Sequence, residues 1–156
     1  EFLLKNAATL GIDLNFKKAC TDGQSELAEI LLKNSATLGI DLNAKDNAFG
    51  WTAFMHACQE GHADVAKVLM ENSTTSSIDL NAKDNDGWTA FIVACRWGKT
   101  SIVELMLDKA DALQLDLTAK DSDGKTGFQN AESNISNRKT IAVMNLIKAK
   151  RPSIAV

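Results

Sequence analysis

The sequence predicts an all-α solenoid of about four helix-turn-helix repeats. Three observations predict it. The first is a period: Phe54, Phe91 and Phe128 are 37 residues apart, and Phe16 lies 38 before Phe54. The second is a recurring order of signals, a turn followed by two helical patterns. The third is that the second helix of each copy carries apolar residues on one face, which a pair of short helices cannot bury alone. Stacked copies bury such faces against one another, and that is how a solenoid is held together.

The copies are read in chain order. Leu42 opens LNAKDNAFGWTAFMHACQEGHADVAKVLM and Leu80 opens LNAKDNDGWTAFIVACRWGKTSIVELML, while Leu117 opens the weaker LTAKDSDGKTGFQNAESN. Phe16 opens FKKACTDGQSELAEILL, which matches the later copies from their Phe onward, and LLKNAATLGIDLN from Leu3 nearly duplicates LLKNSATLGIDLN from Leu31. One repeat domain over 1–156 is therefore divided into a partial repeat (1–13), a shortened repeat (14–41), two full repeats (42–79 and 80–116) and a degraded terminal repeat (117–152).

Within a copy, Asp84-Asn85-Asp86-Gly87 is a turn, with Asp and Asn bonding locally and Gly tolerating positive φ. Thr52 and Thr89 follow as N-caps, each hydroxyl placed to accept an orphan helix N–H. The first helix is expected over 53–60 and 90–97, stopped by Gly61 and Gly98 as left-handed C-caps. In the second helix Leu27, Ala28, Ile30 and Leu31 match Val65, Ala66, Val68 and Leu69, then Ile102, Val103, Leu105 and Met106. Spacing i, i+1, i+3, i+4 reads as one helical face. Loops are expected at 73–79 and 110–116. Ala57, Ala94 and Ala131 mark where helices approach closely.

On DNDGWTAFIVACRWG (84–98) and GWTAFMHACQEGHADVAKVLM (50–70), the chain resembles the ankyrin repeat family over nearly its whole length. It also departs from the family. The Thr-Pro-Leu-His segment becomes Thr52-Ala53-Phe54-Met55, Thr89-Ala90-Phe91-Ile92 and Thr126-Gly127-Phe128-Gln129, without the Pro or the His. The period exceeds the family's ~33 residues, and the surplus is placed in the loop after the second helix. The first copy runs Asn15 straight into Phe16 without the turn, and Ile135 replaces the stopping Gly of the last.

The resemblance implies a solenoid with short β-turn fingers and a non-enzymatic protein-interaction role, the partner meeting a concave face of turn tips and first helices. Mapped residue by residue, that face is Phe49, Trp51, Gln59 and Glu60, then Asn85, Asp86, Trp88, Arg96 and Trp97, then Lys125. All three tryptophans fall in this set, and Trp and Arg are frequent interface anchors. Trp51 and Trp88 share a repeat position, so turn packing and partner contact both account for them. Trp97 has Glu60 and Asn134 as equivalents, so shared packing does not account for it. The resemblance also places Asn43 and Asn81 where an asparaginyl hydroxylase acts in this family, a change that intact mass reads as added oxygen.

Other chemistries lack support. With 17 basic and 20 acidic side chains the chain carries −3, which offers nucleic acid or an anionic membrane no counter-charge. No uncharged apolar run approaches the ~18–20 residues that span a bilayer, and no secretory leader pattern opens the chain. Cys20, Cys58 and Cys95 occupy one repeat position 38 and 37 apart, which reads as a buried small hydrophobe in a reducing, intracellular compartment. Stacked equivalents are too far apart for a disulfide. His62 follows Gly61 in an inter-helix turn and reads as structural, while His56 faces Lys18, Val93 and Asn130 at its equivalents. Asp121, Asp123 and Glu132 imitate a calcium loop but Lys125 and Thr126 break it. No phosphate-binding glycine motif appears, and two Asn-x-Ser/Thr sequons read as chance.

The expectation is thus a monomeric module without enzyme activity, cofactor, metal or small-molecule substrate, binding a protein partner of unknown identity. A spacer segment of a longer ankyrin array without its own partner is the alternative, since the chain opens at Glu1 inside a helix-like segment.

Overall fold

Among the described residues, four helix pairs stack in two rows, each pair built from the signals read above. A computed structural model describes residues 15–155, so the partial-repeat reading of 1–13 lies outside the described residues. The pairs are α1 (Phe16–Thr21) with α2 (Ser25–Lys33), and α4 (Ala53–Glu60) with α5 (Ala63–Glu71). Next come α7 (Ala90–Arg96) with α8 (Thr100–Leu113), and α9 (Gly127–Glu132) with α10 (Arg138–Lys150). One-turn helices α3 (Ser35–Leu38) and α6 (Ser73–Ser76) follow the first two pairs, and a 3₁₀ turn at Pro152–Ile154 follows the last. The first helices pack in the order α1, α4, α7, α9, and the second helices α2, α5, α8, α10 form the other row. No strand is found among the described residues, and none of their helices is long and apolar enough to cross a membrane.

The helix starts are set by short-range hydrogen bonds. Thr52, Thr89 and Thr126 hydroxyls accept the N–H of Met55, Ile92 and Gln129, and Gln129 returns a bond to complete a capping box. In the copy that lacks the turn, Asn15 takes over, accepting the Lys18 N–H at 2.9 Å. Helix α4 stops at Gly61 with φ +89°, as expected, whereas α7 ends one residue early because Trp97 has left helical geometry.

Two expectations need correction. The segments 73–79 and 110–116 are not loops throughout: α6 occupies 73–76, and α8 continues to Leu113. The repeat position 34, 72, 109 explains the difference between copies. Asn34 and Asn72 turn their side chains back onto the Ile30 and Val68 carbonyls at 2.8 Å, ending the helix there. Lys109 has no such competing bond and lets α8 run on. All three segments then end on a left-handed residue, Gly39, Ser77 or Gln114.

The second correction concerns the buried face. It is i, i+1, i+4 and i+5, as in Val65, Ala66, Leu69 and Met70 or Ile102, Val103, Met106 and Leu107. At about 100° per residue the i+3 position lies roughly 130° from the centre of that face. Accordingly Ile30 is 46% exposed, and Val68 and Leu105 are half-buried.

Between the rows, Phe16, Phe54, Phe91 and Phe128 are buried, and Ala57, Ala94 and Ala131 are fully enclosed where helices meet. Cys20, Cys58 and Cys95 are free and fully buried beside them. Burial pushes the Cys20 thiol up to about 12 and raises the other two as well, so none carries the reactive thiolate at neutral pH.

Long polar side chains tie one copy to the next. Asn43 accepts the Asp79 N–H and donates to the Ser77 carbonyl, and Asn81 repeats the pattern with Asp116 and Gln114, all at 2.8–2.9 Å. Lys45 donates to the Lys83 carbonyl and Lys83 to that of Lys120. His62 bonds the Thr21 carbonyl at 2.9 Å, the structural role its position after Gly61 implied.

Candidate functional site

Each turn finger is organised by one aspartate that recurs with the period: Asp46, Asp84 and Asp121. One carboxylate oxygen gathers backbone N–H groups. Asp46 Oδ1 accepts from Phe49, Gly50 and Trp51, Asp84 Oδ1 from Asp86 and Trp88, and Asp121 Oδ1 from Asp123 and Lys125. The other oxygen takes a side-chain donor that differs in each copy. It is His56 Nε2 at 2.7 Å for Asp46 and Asn130 Nδ2 at 2.8 Å for Asp121. The equivalent residue in the middle copy, Val93, cannot donate. Asp84 Oδ2 is satisfied instead by the indole N–H of Trp51, 33 residues earlier, at 2.8 Å.

Adjacent fingers are also joined through their backbones. Asn85 donates its N–H to the Phe49 carbonyl at 3.0 Å, and Ser122 donates to that of Asp86 through both N–H and hydroxyl. The Asn85 bond and the Trp51 indole set the fingers of residues 46–51 and 84–88 side by side, and the Ser122 bonds set the third finger beside the second.

Between them lies a cleft of about 270 Å³. Trp51, Trp88, Trp97 and Phe49 supply its aromatic lining, with His56, Gln59, Asp84 and Asp86 completing it. The rings meet at steep angles: Trp51 and Trp97 have centroids 6.0 Å apart at 89°, and Trp88 and Trp97 5.5 Å apart at 67°. Phe49 lies 6.0 Å from Trp51 and is 61% exposed, the most open large apolar side chain in the described residues. Trp51 is buried at 7% exposure, while Trp88 and Trp97 are half-buried against the core. Trp51 therefore packs, and it still contributes to the cleft. Trp97 packs on both other indoles, so its removal is expected to disturb structure as well as surface.

Six of the sequence-nominated residues thus converge: Phe49, Trp51, Gln59, Asp86, Trp88 and Trp97. Four do not line the cleft. Glu60 is exposed at the end of α4, where its carbonyl accepts from Lys99. Asn85 is exposed and serves the inter-finger backbone bond. Half-buried Arg96 reaches the Asn130 carbonyl at 3.5 Å, and Lys125 is exposed on the third finger. Sequence reasoning missed His56 and Asp84. The signal for Asp84 was the period itself, and for His56 it was Asn130, an equally capable donor at the same repeat position.

Burial disfavours the charged Asp46 carboxylate, but the Phe49 and Trp51 N–H groups and the His56 ring together outweigh it and hold the carboxyl at about 2. A free aspartate titrates near 3.9. The ionised finger therefore stabilises the fold above about pH 4, and that contribution falls away as pH drops toward 2. Asp46→Asn is expected to reduce the wild type's loss of stability between pH 6 and pH 3 by on the order of 1 kcal/mol, allowing for solvent screening at the finger surface. Urea midpoints at the two pH values measure it, and equal acid sensitivity of both proteins contradicts it.

A family model for ankyrin repeats, in three copies, matches residues 16–121. No curated protein matches the chain.

Proposed function

The chain belongs to the ankyrin repeat family, and on that premise we propose that it binds a partner protein through the cleft between the fingers of residues 46–51 and 84–88. Ankyrin repeats are in general protein-interaction modules and typically non-enzymatic. The observation that carries the reading is the aromatic cleft with Phe49 open at its edge. An exposed aromatic side chain at the mouth of an apolar cleft marks an interaction surface, and such residues dominate interface energetics. The fingers are braced by backbone bonds and by Asp84, so little ordering entropy is lost on docking.

Phe49 is the clean probe because it is exposed and makes no hydrogen bond through its side chain. Phe49→Ala is expected to change stability by no more than about 0.5 kcal/mol and to weaken partner binding at least tenfold, about 1.4 kcal/mol or more. Parallel affinity capture with the wild type, Phe49→Ala and an exposed α5 control, Glu71→Ala, read by quantitative mass spectrometry, tests it. A protein retained by the wild type and the control but lost from Phe49→Ala supports the cleft. A specific protein captured equally by all three chains contradicts the cleft, and recovery of no specific protein by any of them supports the spacer reading instead.

A further inference from the structure

We infer that Ser153 is a phosphorylation site for a protein kinase with an acidic substrate groove, and that its phosphate draws Arg151 away from α8. The site lies in the 3₁₀ turn after α10 and is independent of the cleft between the fingers.

The residue types come first. Lys150-Arg151-Pro152-Ser153-Ile154 sets two cations immediately before a Pro-Ser pair and an apolar residue after it. No other serine or threonine of the chain has basic residues both two and three positions before it. Kinases choose substrates by the pattern of charge around the acceptor, and this pattern complements a groove lined by carboxylates.

The acceptor is also within reach. Ser153 is exposed, and its hydroxyl makes no hydrogen bond to a described residue. Thr140, which follows Arg138 and Lys139, is the contrasting case: it is fully buried, and its hydroxyl donates to the Asn134 and Asn137 carbonyls. Around Ser153 little structure has to open. Arg151 has already left helical geometry, at φ −142° and ψ 67°, as the residue before a proline does. Beyond it two backbone bonds close the turn, Ile154 N–H to Arg151 at 3.1 Å and Ala155 N–H to Pro152 at 3.2 Å.

The two cations are held by groups that a kinase groove, and then a phosphate, can replace. Lys150 Nζ lies 2.6 Å from Asp108 and 3.2 Å from Glu104. The Arg151 guanidinium donates to both Asp111 oxygens at 2.8 and 3.1 Å and to the Leu107 carbonyl at 3.3 Å. Glu104, Asp108 and Asp111 form one stripe of α8, so the pair straps the end of α10 to that helix. All three carboxylates are exposed, and exposed ion pairs are weak. A phosphoserine adds about −1.5 to −2 charges and three acceptor oxygens. Two residues from Arg151, it offers the guanidinium a stronger bidentate partner than Asp111 and repels that carboxylate. The strap then opens.

In the transfer, Ser153 Oγ bonds to the γ-phosphorus of ATP as the bond from that phosphorus to the β,γ-bridging oxygen breaks. ADP leaves, and the hydroxyl proton passes to the kinase's catalytic aspartate.

The test incubates the whole chain with ATP and the catalytic subunit of cyclic-AMP-dependent protein kinase, and locates phosphate by peptide mass spectrometry. One phosphate is expected, on Ser153, and none on Ser153→Ala. Arg151→Ala should lower the initial rate at least tenfold, whereas Arg151→Lys, which keeps the charge, should stay within about threefold of the wild type. In the phosphorylated chain the Ile154 and Ala155 amides should exchange with deuterium at least threefold faster by NMR. Phosphate absent from Ser153, or placed first on another residue, overturns the site. Equal rates for the wild type and Arg151→Ala, or equal loss in Arg151→Ala and Arg151→Lys, overturn recognition through charge. Unchanged amide exchange overturns release of the strap.

Discussion

Trp51→Ala is expected to lower the stability of the fold by about 3–5 kcal/mol, the range for truncating a large buried aromatic side chain. The side chain is only 7% exposed and touches Phe49, His56 and Trp97 through its ring. Truncation opens a cavity and also strips Asp84 Oδ2 of its indole donor. Trp51→Phe keeps one aromatic ring but loses the N–H and the fused five-membered ring, so its cost is expected to fall between those of the wild type and Trp51→Ala, at about 1–3 kcal/mol. Urea unfolding followed by circular dichroism supplies the comparison. A Trp51→Ala protein as stable as the wild type contradicts the inter-finger role described for this residue.

Gly98→Ala is expected to cost about 3 kcal/mol or more. Its φ of +64° alone strains any residue with a Cβ by about 1–2 kcal/mol. The added Cβ also lies 2.5 Å from the Lys139 Cβ, 2.8 Å from the Lys139 carbonyl carbon and 2.9 Å from the Thr140 nitrogen. Those are backbone and near-backbone atoms of α10, so relief requires the last helix to move, and overpacking of this kind costs about 1–3 kcal/mol more. Gly39→Ala is the matched control. Its φ is +65°, but nothing lies within 4 Å of the added carbon, and its repeat equivalents Ser77 and Gln114 already carry side chains there. Its cost is expected to be about 1 kcal/mol. Thermal melts of the two variants measure the packing contribution as their difference, and equal losses remove it.

Helix starts in this chain are fixed by local signals. Thr52, Thr89 and Thr126 were legible as caps because the bond each makes reaches only three residues ahead. The cysteine column was legible because one repeat position carries it three times. The loop after the second helix was misread because a helix end there depends on one residue. Asn34 and Asn72 bond back onto the helix, and Lys109 does not. Ile30 was misplaced for a similar reason: four apolar residues at i, i+1, i+3 and i+4 leave the centre of the face undetermined until Leu32, Met70 and Leu107 are seen to be buried.

The sequence alone determined the order of the helix pairs found among the described residues, because a period of 37–38 residues with matching apolar faces is buried by stacking. It also brought six of the eight cleft residues into consideration. What only the tertiary structure decided is how neighbouring copies complete each other. Val93 leaves Asp84 without the donor that His56 and Asn130 supply in their copies, and the Trp51 indole crosses from the preceding finger to fill that place. That bond depends on the offset between stacked fingers. A side chain's reach across such a gap is set by distance in space, and no spacing along the chain encodes it.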